Sequence, residues 1–455
     1  MRNQRLLLLS IIISSVLSPF LSAAMNVALP QLSRDLGMNA AELSWVNMSF
    51  LLASAAFCIP LGKMADRIGR RKMFIAGNYL VMLTSVACIF AQETFFFLAL
   101  RFIQGIGSSM LFVTGTAIIT SAFPKEKRGK FLGYNVTAVY IGLSAAPVLG
   151  GFLIEFINWQ SLFYVSIVNS ALVIGLLMFY SGEDWKTGRN TPFDWIGSII
   201  YVVFMSMLMY GFANIIQPEA QLLTAVGAAG IIAFIIYEYR ILHPVFDVKF
   251  FVSSRRYAFS NMAALINYAA TFAVGFLLSL YFQYTRGLSP AATGAILMIQ
   301  PVVMAISATI SGRMSDKYDS RILASLGMLL SAIGVGMLVF ATAETPHEFF
   351  YAALAILGLG FGFFSTPNTH SVMNSVEPPQ FGTASATLST MRISGQMISM
   401  GMAALFISWL IGAHRVNAAN ALRLVDVMQY VFGIFFFLLL LGTWFSWARG
   451  KHTAI

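Results

Sequence analysis

Charge is what this sequence has least of. Only 10% of its 455 residues are Asp, Glu, Lys or Arg, while 58% are hydrophobic and mean hydropathy is +0.77; an ordinary soluble domain carries about 25% charged residues. Too little polar surface exists to hydrate a water-facing globule, and the composition is the opposite of a disordered polar tract. Cysteine is nearly absent as well. Cys58 and Cys88 both lie in apolar runs, so neither a disulfide framework nor a Cys/His metal site can be assembled from them. The five histidines are scattered, and the sequence holds no His-Glu-x-x-His, no Gly-x-Ser-x-Gly and no phosphate-cradling Gly-x-x-x-x-Gly-Lys-Ser/Thr loop. These absences argue against an intramembrane enzyme and against ATP-driven pumping by this chain, and they call for no catalytic set, no metal and no cofactor. A formal net charge of +10 does not point to nucleic acid, because the cations come in short clusters between apolar stretches.

What is abundant is apolar length. A helix crossing the hydrocarbon core needs roughly 20 apolar residues, and fourteen stretches qualify, from residues 7–29 to residues 426–447. The opening Met-Arg-Asn-Gln-Arg and its long apolar run read as an uncleaved first span, since a cleavable signal has a shorter apolar core. An even count puts both termini on one side. Of the 28 basic residues, 22 fall on that side, 4 on the other (Arg34, Arg286, Arg415, Arg423) and 2 within spans (Arg101, Arg392). By the positive-inside rule, both termini are cytoplasmic in a multi-pass protein of the cell membrane.

Two landmarks recur 250 residues apart: Gly62-Lys63-Met64-Ala65-Asp66-Arg67 is echoed by Gly312-Arg313-Met314-Ser315-Asp316-Lys317, and Gly37-Met38-Asn39-Ala40-Ala41 by Gly287-Leu288-Ser289-Pro290-Ala291. A duplicated six-span unit accounts for twelve spans. The expected fold is therefore all-α: an N-terminal six-helix bundle over residues 1–180, a linker with two inserted spans over 181–256, and a C-terminal six-helix bundle over 257–455.

Three segments carry chemistry. Residues 62–72 combine the turn glycines Gly62 and Gly69 with Asp66, Arg70 and Arg71, an acid among cations that can pair locally or cap a helix end. They form a conformational latch or, more plainly, a basic loop. The fourth span carries Arg101, Gln104, Gly105 and Gly107. A guanidinium in hydrocarbon costs at least about 2.5 kcal/mol, so Arg101 faces a cavity or partner, or snorkels to the interface. The fifth span holds Gly142, Pro147, Gly150 and Gly151, a kinked, smooth face for close packing.

On these residues the chain resembles the major facilitator superfamily, in its fourteen-span drug/proton antiporter branch, over nearly its whole length. Residues 62–72, 101–107 and 146–151 are similar to the loop, fourth-span and antiporter signatures, the last with Ala146 where Gly is usual. Asn26 to Pro30, Asp194-Trp195-Ile196-Gly197, His243-Pro244-Val245-Phe246-Asp247 and Arg392 are further branch-like features. The resemblance implies alternating access between two rocking bundles. It also implies a gate held by Asp66 with Arg70 and Arg71, coupling through Arg101, and efflux of drugs or small amphiphilic compounds in exchange for protons.

The pattern departs in the first span, where Phe20 to Met25 contains no aspartate, although many members of the branch carry one there. Among the 18 acidic residues, Glu155 at the end of the fifth span is then the membrane-embedded carboxylate of choice for proton coupling, the alternative being an exposed end residue. His370 is the other titratable candidate, or else a hydrogen-bonded packing residue. An uncoupled facilitator and a flippase for lipid-like substrates are the alternatives that fit the missing acid. Helical spacing nominates Ser22, Asn26, Gln104, Tyr140, Asn261, Tyr268 and Asn368 for an amphipathic substrate pocket; for any of them the competing role is an interhelical hydrogen bond. The partners expected are a small-molecule substrate, protons and the lipid bilayer, with fourteen spans sufficient for a self-contained monomer.

Overall fold

The computed structural model describes residues 2–123, 125–180, 184, 192–215, 217–242, 244–315, 318–376, 381–412 and 421–450. Asp316 and His243 lie outside the described residues. Among those described, regular structure is helical throughout, and fourteen helices are long and apolar enough to cross a membrane. They are numbered here as spans: 1 (Arg5–Asp35), 2 (Ala40–Ile68), 3 (Arg70–Ile89), 4 (Thr94–Ile119), 5 (Thr137–Phe156), 6 (Ser161–Met178), 7 (Trp195–Phe212), 8 (Pro218–Arg240), 9 (Arg255–Thr285), 10 (Pro290–Met314), 11 (Ser320–Val339), 12 (His347–Met373), 13 (Thr387–Leu410) and 14 (Ala421–Ala448).

The turns between spans follow from local chemistry. Gly37 adopts φ 72°, and two residues on Asn39 caps span 2: its side chain accepts the Glu42 N–H at 2.9 Å while Glu42 accepts the Asn39 N–H at 2.8 Å. The echo behaves alike. Gly287 has φ 65°, Ser289 caps span 10, and Pro290 occupies the first helical turn, where its missing N–H costs nothing. Span 9 is not one continuous α-helix. It runs from Arg255–Thr271 through Ala273–Leu280 into a π-helical turn at Tyr281–Thr285.

Packing repeats with an offset of eight spans. Span 2 packs on 4, 3 on 4, 1 on 5 and 3 on 6, and the same contacts recur as 10 on 12, 11 on 12, 9 on 13 and 11 on 14. Side chains repeat too: Ser54 Oγ donates to the Gly105 carbonyl at 3.1 Å, and Ser307 Oγ to the Gly358 carbonyl at 3.1 Å, both across 51 residues. Glycines permit this approach, since a Cβ on Gly77 would lie 2.9 Å from the Gly107 oxygen and one on Gly327 2.7 Å from the Gly360 oxygen. The two sets meet where span 2 contacts span 13, span 5 contacts span 10 and span 1 contacts span 9. Spans 7 and 8 pair with each other, and span 7 lies against spans 2 and 13, covering one of these seams.

Candidate functional site

At the end of the molecule that carries the basic loops, Arg70 donates from Nε to Asp66 at 2.8 Å and from Nη1 to the Ala117 carbonyl at 3.1 Å, and it also reaches Ser121. All of these partners lie on span 2 or on the helix Thr94–Ala122 that contains span 4. Arg71 turns the other way: its Nη2 donates to the Leu177 and Tyr180 carbonyls at 3.0 and 2.8 Å, and its guanidinium lies 4.8 Å from the Tyr180 ring centre. Asp184 completes the cluster by accepting the backbone N–H groups of Arg71 at 2.8 Å and Lys72 at 3.3 Å, so a carboxylate sits on the positive end of span 3. Gly69 is required twice here. Its φ is +125°, and a Cβ at that position would collide with the Asp184 carboxylate. Sequence reasoning missed Asp184, because nothing local marks a partner more than 100 residues away.

Arg101 is wholly buried among spans 2, 3 and 4. Its Nε donates to the Val46 carbonyl at 3.2 Å, Nη1 to Gln104 Oε1 at 2.5 Å, and its guanidinium stacks 4.8 Å from the Phe50 ring centre. Gln104 passes the network on, donating to Ser85 Oγ at 2.8 Å, itself 2.9 Å from Ser166 Oγ. Arg101 and Gln104 therefore form one internal network, and neither lies at the seam.

At the opposite end the two sets of spans are closed on each other. Asn26 accepts from Asn47 at 2.6 Å, its carbonyl accepts from Ser279 Oγ at 2.7 Å, and Gln283 donates to the Val27 carbonyl at 3.1 Å. The Pro147, Gly150 and Gly151 segment fits against neighbours with no room for side chains: a Cβ on Gly150 would lie 2.6 Å from Ala24 and one on Gly151 2.6 Å from the Pro290 oxygen. One on Gly294 would strike the Pro147 oxygen. Glu155 is exposed and accepts the Ala291 N–H at 3.0 Å, capping the start of span 10 from span 5. It thus stands at the rim of the seam rather than deep in a cavity. Ser22 is half-buried on span 1.

Between these two ends, Tyr140 of span 5 lies against Ser365 and Thr366 of span 12. Tyr268 of span 9 meets the Phe361 ring edge-on at 5.1 Å and lies 5.7 Å from the Arg392 guanidinium, which donates to Thr369 Oγ1 at 2.6 Å. Asn368 belongs elsewhere. Its Oδ1 accepts from Arg449 at 2.8 Å and its side-chain amide donates to the Ser260 carbonyl at 3.0 Å, in a network that anchors residue 449 against spans 9, 11 and 14. Burial, reinforced by Arg256 and opposed by Asp319, pulls the Arg449 guanidinium down to about 9. His370 lies beside this network, 3.3 Å from Ser320 Oγ and 3.2 Å from the Asn374 amide. Asn261 is buried and donates back to the Tyr257 carbonyl at 2.9 Å.

The insert carries a pair of acids that spacing did not single out for a site. Asp194 caps span 7 through the Gly197 N–H at 2.9 Å and accepts from Tyr237 at 3.1 Å; buried Glu238 accepts the Phe246 N–H at 2.8 Å. Both carboxylates crowd the bare face of Gly197. Beside them a cleft of about 60 Å³ is bounded by Lys63 and Arg67 of span 2 and by Asp194, Pro244 and Val245 of the insert.

A sequence model of the Major Facilitator Superfamily matches residues 11–237 and 261–454. The chain belongs to the major facilitator superfamily. Its relatives include the riboflavin transporter RibZ of Clostridioides difficile (strain 630), 26% identical over 398 residues that cover 86% of each chain. They also include the multidrug resistance protein Stp of Mycobacterium tuberculosis (strain ATCC 25618 / H37Rv), 28% identical over 395 residues that cover 85% of this chain and 72% of that one. Similarity to such proteins aligns it with the drug-efflux-type branch. In fold it is similar to a D-xylose-proton symporter, with TM-score 0.69, 15% identity and coverage of 98% of each chain. A POT family transporter gives TM-score 0.71 at 14% identity over 95% of this chain and 94% of that one. The superfamily membership makes this a multi-pass membrane transporter and not an enzyme.

Proposed function

We propose that this facilitator exports small amphiphilic compounds, drugs among them, across the cell membrane by alternating access in exchange for protons. The two rocking bodies are residues 1–180 and 257–455, with the basic loops and both termini in the cytoplasm. The observation that carries the reading is the asymmetry of closure: spans 1 and 5 are packed against spans 9 and 10 at the end remote from the basic loops, whereas the Asp66 and Arg70 latch makes its bonds within spans 2 to 4. That is the arrangement expected of a transporter waiting for substrate on its cytoplasmic side. The names of the relatives, drug efflux and multidrug resistance among them, support export.

Glu155 is suited to couple protons because of what it bonds. In the closed state its carboxylate caps span 10 by accepting the Ala291 N–H, and opening the seam breaks that contact, so this carboxylate changes its bonding with the gate. The test is proton-gradient-dependent movement of cationic, neutral and anionic compounds in proteoliposomes, comparing the unaltered protein with Glu155→Gln. Gradient-driven movement lost in the variant is the expected result. Movement that follows the gradient in both proteins would transfer the coupling role to His370. Indifference to the gradient would make the protein an uncoupled facilitator, and movement of lipid-like compounds alone a flippase.

A further inference from the structure

The seam cluster around Arg392 has a composition that specifies a ligand. Arg392 is half-buried, makes one hydrogen bond, to Thr369 Oγ1, and forms no salt bridge with any described residue. Its Nε is buried with no acceptor among the described residues. Around it stand the Tyr268 ring, the edge-on Phe361 ring and, from the other set of spans, Tyr140, which lies against Ser365 and Thr366 on the stretch of span 12 that carries Thr369. At 1.5 Å per residue, Tyr268 lies about 20 Å from the Arg255 end of span 9 and Tyr140 about 24 Å from the Phe156 end of its helix, so the cluster sits within the spans and toward their basic-loop end. The cluster therefore offers donors in excess of acceptors, aromatic walls and a permanent positive charge, with no carboxylate among the described residues to neutralise it.

A cation held in such a place without a counter-ion is costly, and a ligand that brings the missing negative charge recovers that cost. A guanidinium with free N–H groups suits a planar two-oxygen anion, which it can hold through two parallel charge-assisted bonds. A cationic ligand would meet repulsion and an unpaired donor instead. From this juxtaposition we infer that the translocation site is selective for amphipathic monoanions, a carboxylate or sulfonate on an aromatic or apolar body, with Arg392 binding the anionic group and Tyr268, Phe361 and Tyr140 enclosing the body. The inference rests on the transporter reading, and it adds a substrate class to it.

Three probes that share a ring and differ in head group decide the matter: 2-naphthoate, 2-naphthamide and 2-naphthylmethylamine, titrated calorimetrically into the purified full-length protein. Naphthoate is expected to bind at least tenfold more tightly than the amide, and the amine most weakly. Arg392→Gln is expected to abolish the preference for the acid while leaving amide binding within about twofold, which also shows that the variant is folded. Arg392→Lys should keep part of the preference. Equal binding of acid and amide, persistence of the preference in Arg392→Gln, or binding of none of the three at millimolar concentration would overturn the inference. Parallel proteoliposome assays separate it from the exporter reading. Arg392-dependent acid binding without movement of any compound removes the exporter and leaves the site, whereas gradient-driven export without acid preference does the reverse.

Discussion

Arg101 and Arg392 both interrupt apolar runs inside membrane spans, and they differ in whether their surroundings come from one half or from the place where the halves meet. Arg101 is enclosed by its own half: a carbonyl and an amide oxygen accept from it, a phenyl face lies against it, its Nη2 is buried with no partner among the described residues, and none of it is exposed. Arg392 stands where the halves meet, with one hydroxyl for a partner, a buried Nε unbonded and a tyrosine ring below it. The first is built into a framework and the second is left open for something to arrive. Burial of charge alone does not identify a binding site; unmet hydrogen-bonding capacity at a surface that opens does.

The sharpest way to break this comparison is to remove Arg101. Arg101→Ala leaves the Val46 carbonyl and Gln104 Oε1 without their donor and opens a void between spans 2 and 4, a loss of about 3 kcal/mol. A thermal midpoint lowered by several degrees and complete loss of transport are expected. Arg101→Met fills the volume with no charge to bury, so most of the stability should return while transport does not. Transport by the Met variant would show that Arg101 only fills space.

A smaller effect distinguishes the framework from the seam at the level of backbone. A Cβ on Gly105 would strike the Phe50 carbonyl inside one half, and a Cβ on Gly294 would strike the Pro147 carbonyl between halves. Gly105→Val should therefore lower the unfolding midpoint by forcing spans 2 and 4 apart. Gly294→Val should leave the halves folded and the midpoint nearly unchanged, and instead prise spans 5 and 10 apart. The readout is labelling of a cysteine placed at Ser279 by a membrane-impermeant thiol reagent added from the non-basic side. It should rise at least fivefold in the Gly294 variant and not in the Gly105 variant; equal labelling would mean that the seam is as rigid as the framework.

How much of this was legible beforehand depends on whether a property is local. Span count and the close-packing glycines follow from apolar length and side-chain size, which a few neighbouring residues settle. The direction in which a polar side chain points depends on how whole helices are rotated and tilted. Asn368 was nominated for substrate and lies instead on Arg449; Asp184 was overlooked although it holds the start of span 3. Glu155 falls at the end of its span in sequence, and only the neighbouring span shows that it is exposed at the rim and caps span 10. Arg101 and Arg392 look alike in sequence, each a lone cation in an apolar run, and only their neighbours from other spans separate them.

The finest test acts on the single bond that Arg392 makes. Thr369→Val is close to isosteric, deletes one hydroxyl and leaves the guanidinium with no hydrogen-bond partner among the described residues. If Thr369 stands in for an absent anion, its removal frees a donor that the ligand would otherwise have to win from it. Naphthoate should then bind about twofold more tightly to the variant, the amide being unaffected, since exchanging one neutral hydrogen bond for another is worth only about 1 kcal/mol before the ordering of a loosened side chain is subtracted. If instead Thr369 aims the guanidinium, acid binding falls while amide binding holds. That result would make Arg392 part of a framework in the way Arg101 is, and the contrast between the two arginines would narrow to their depth of burial.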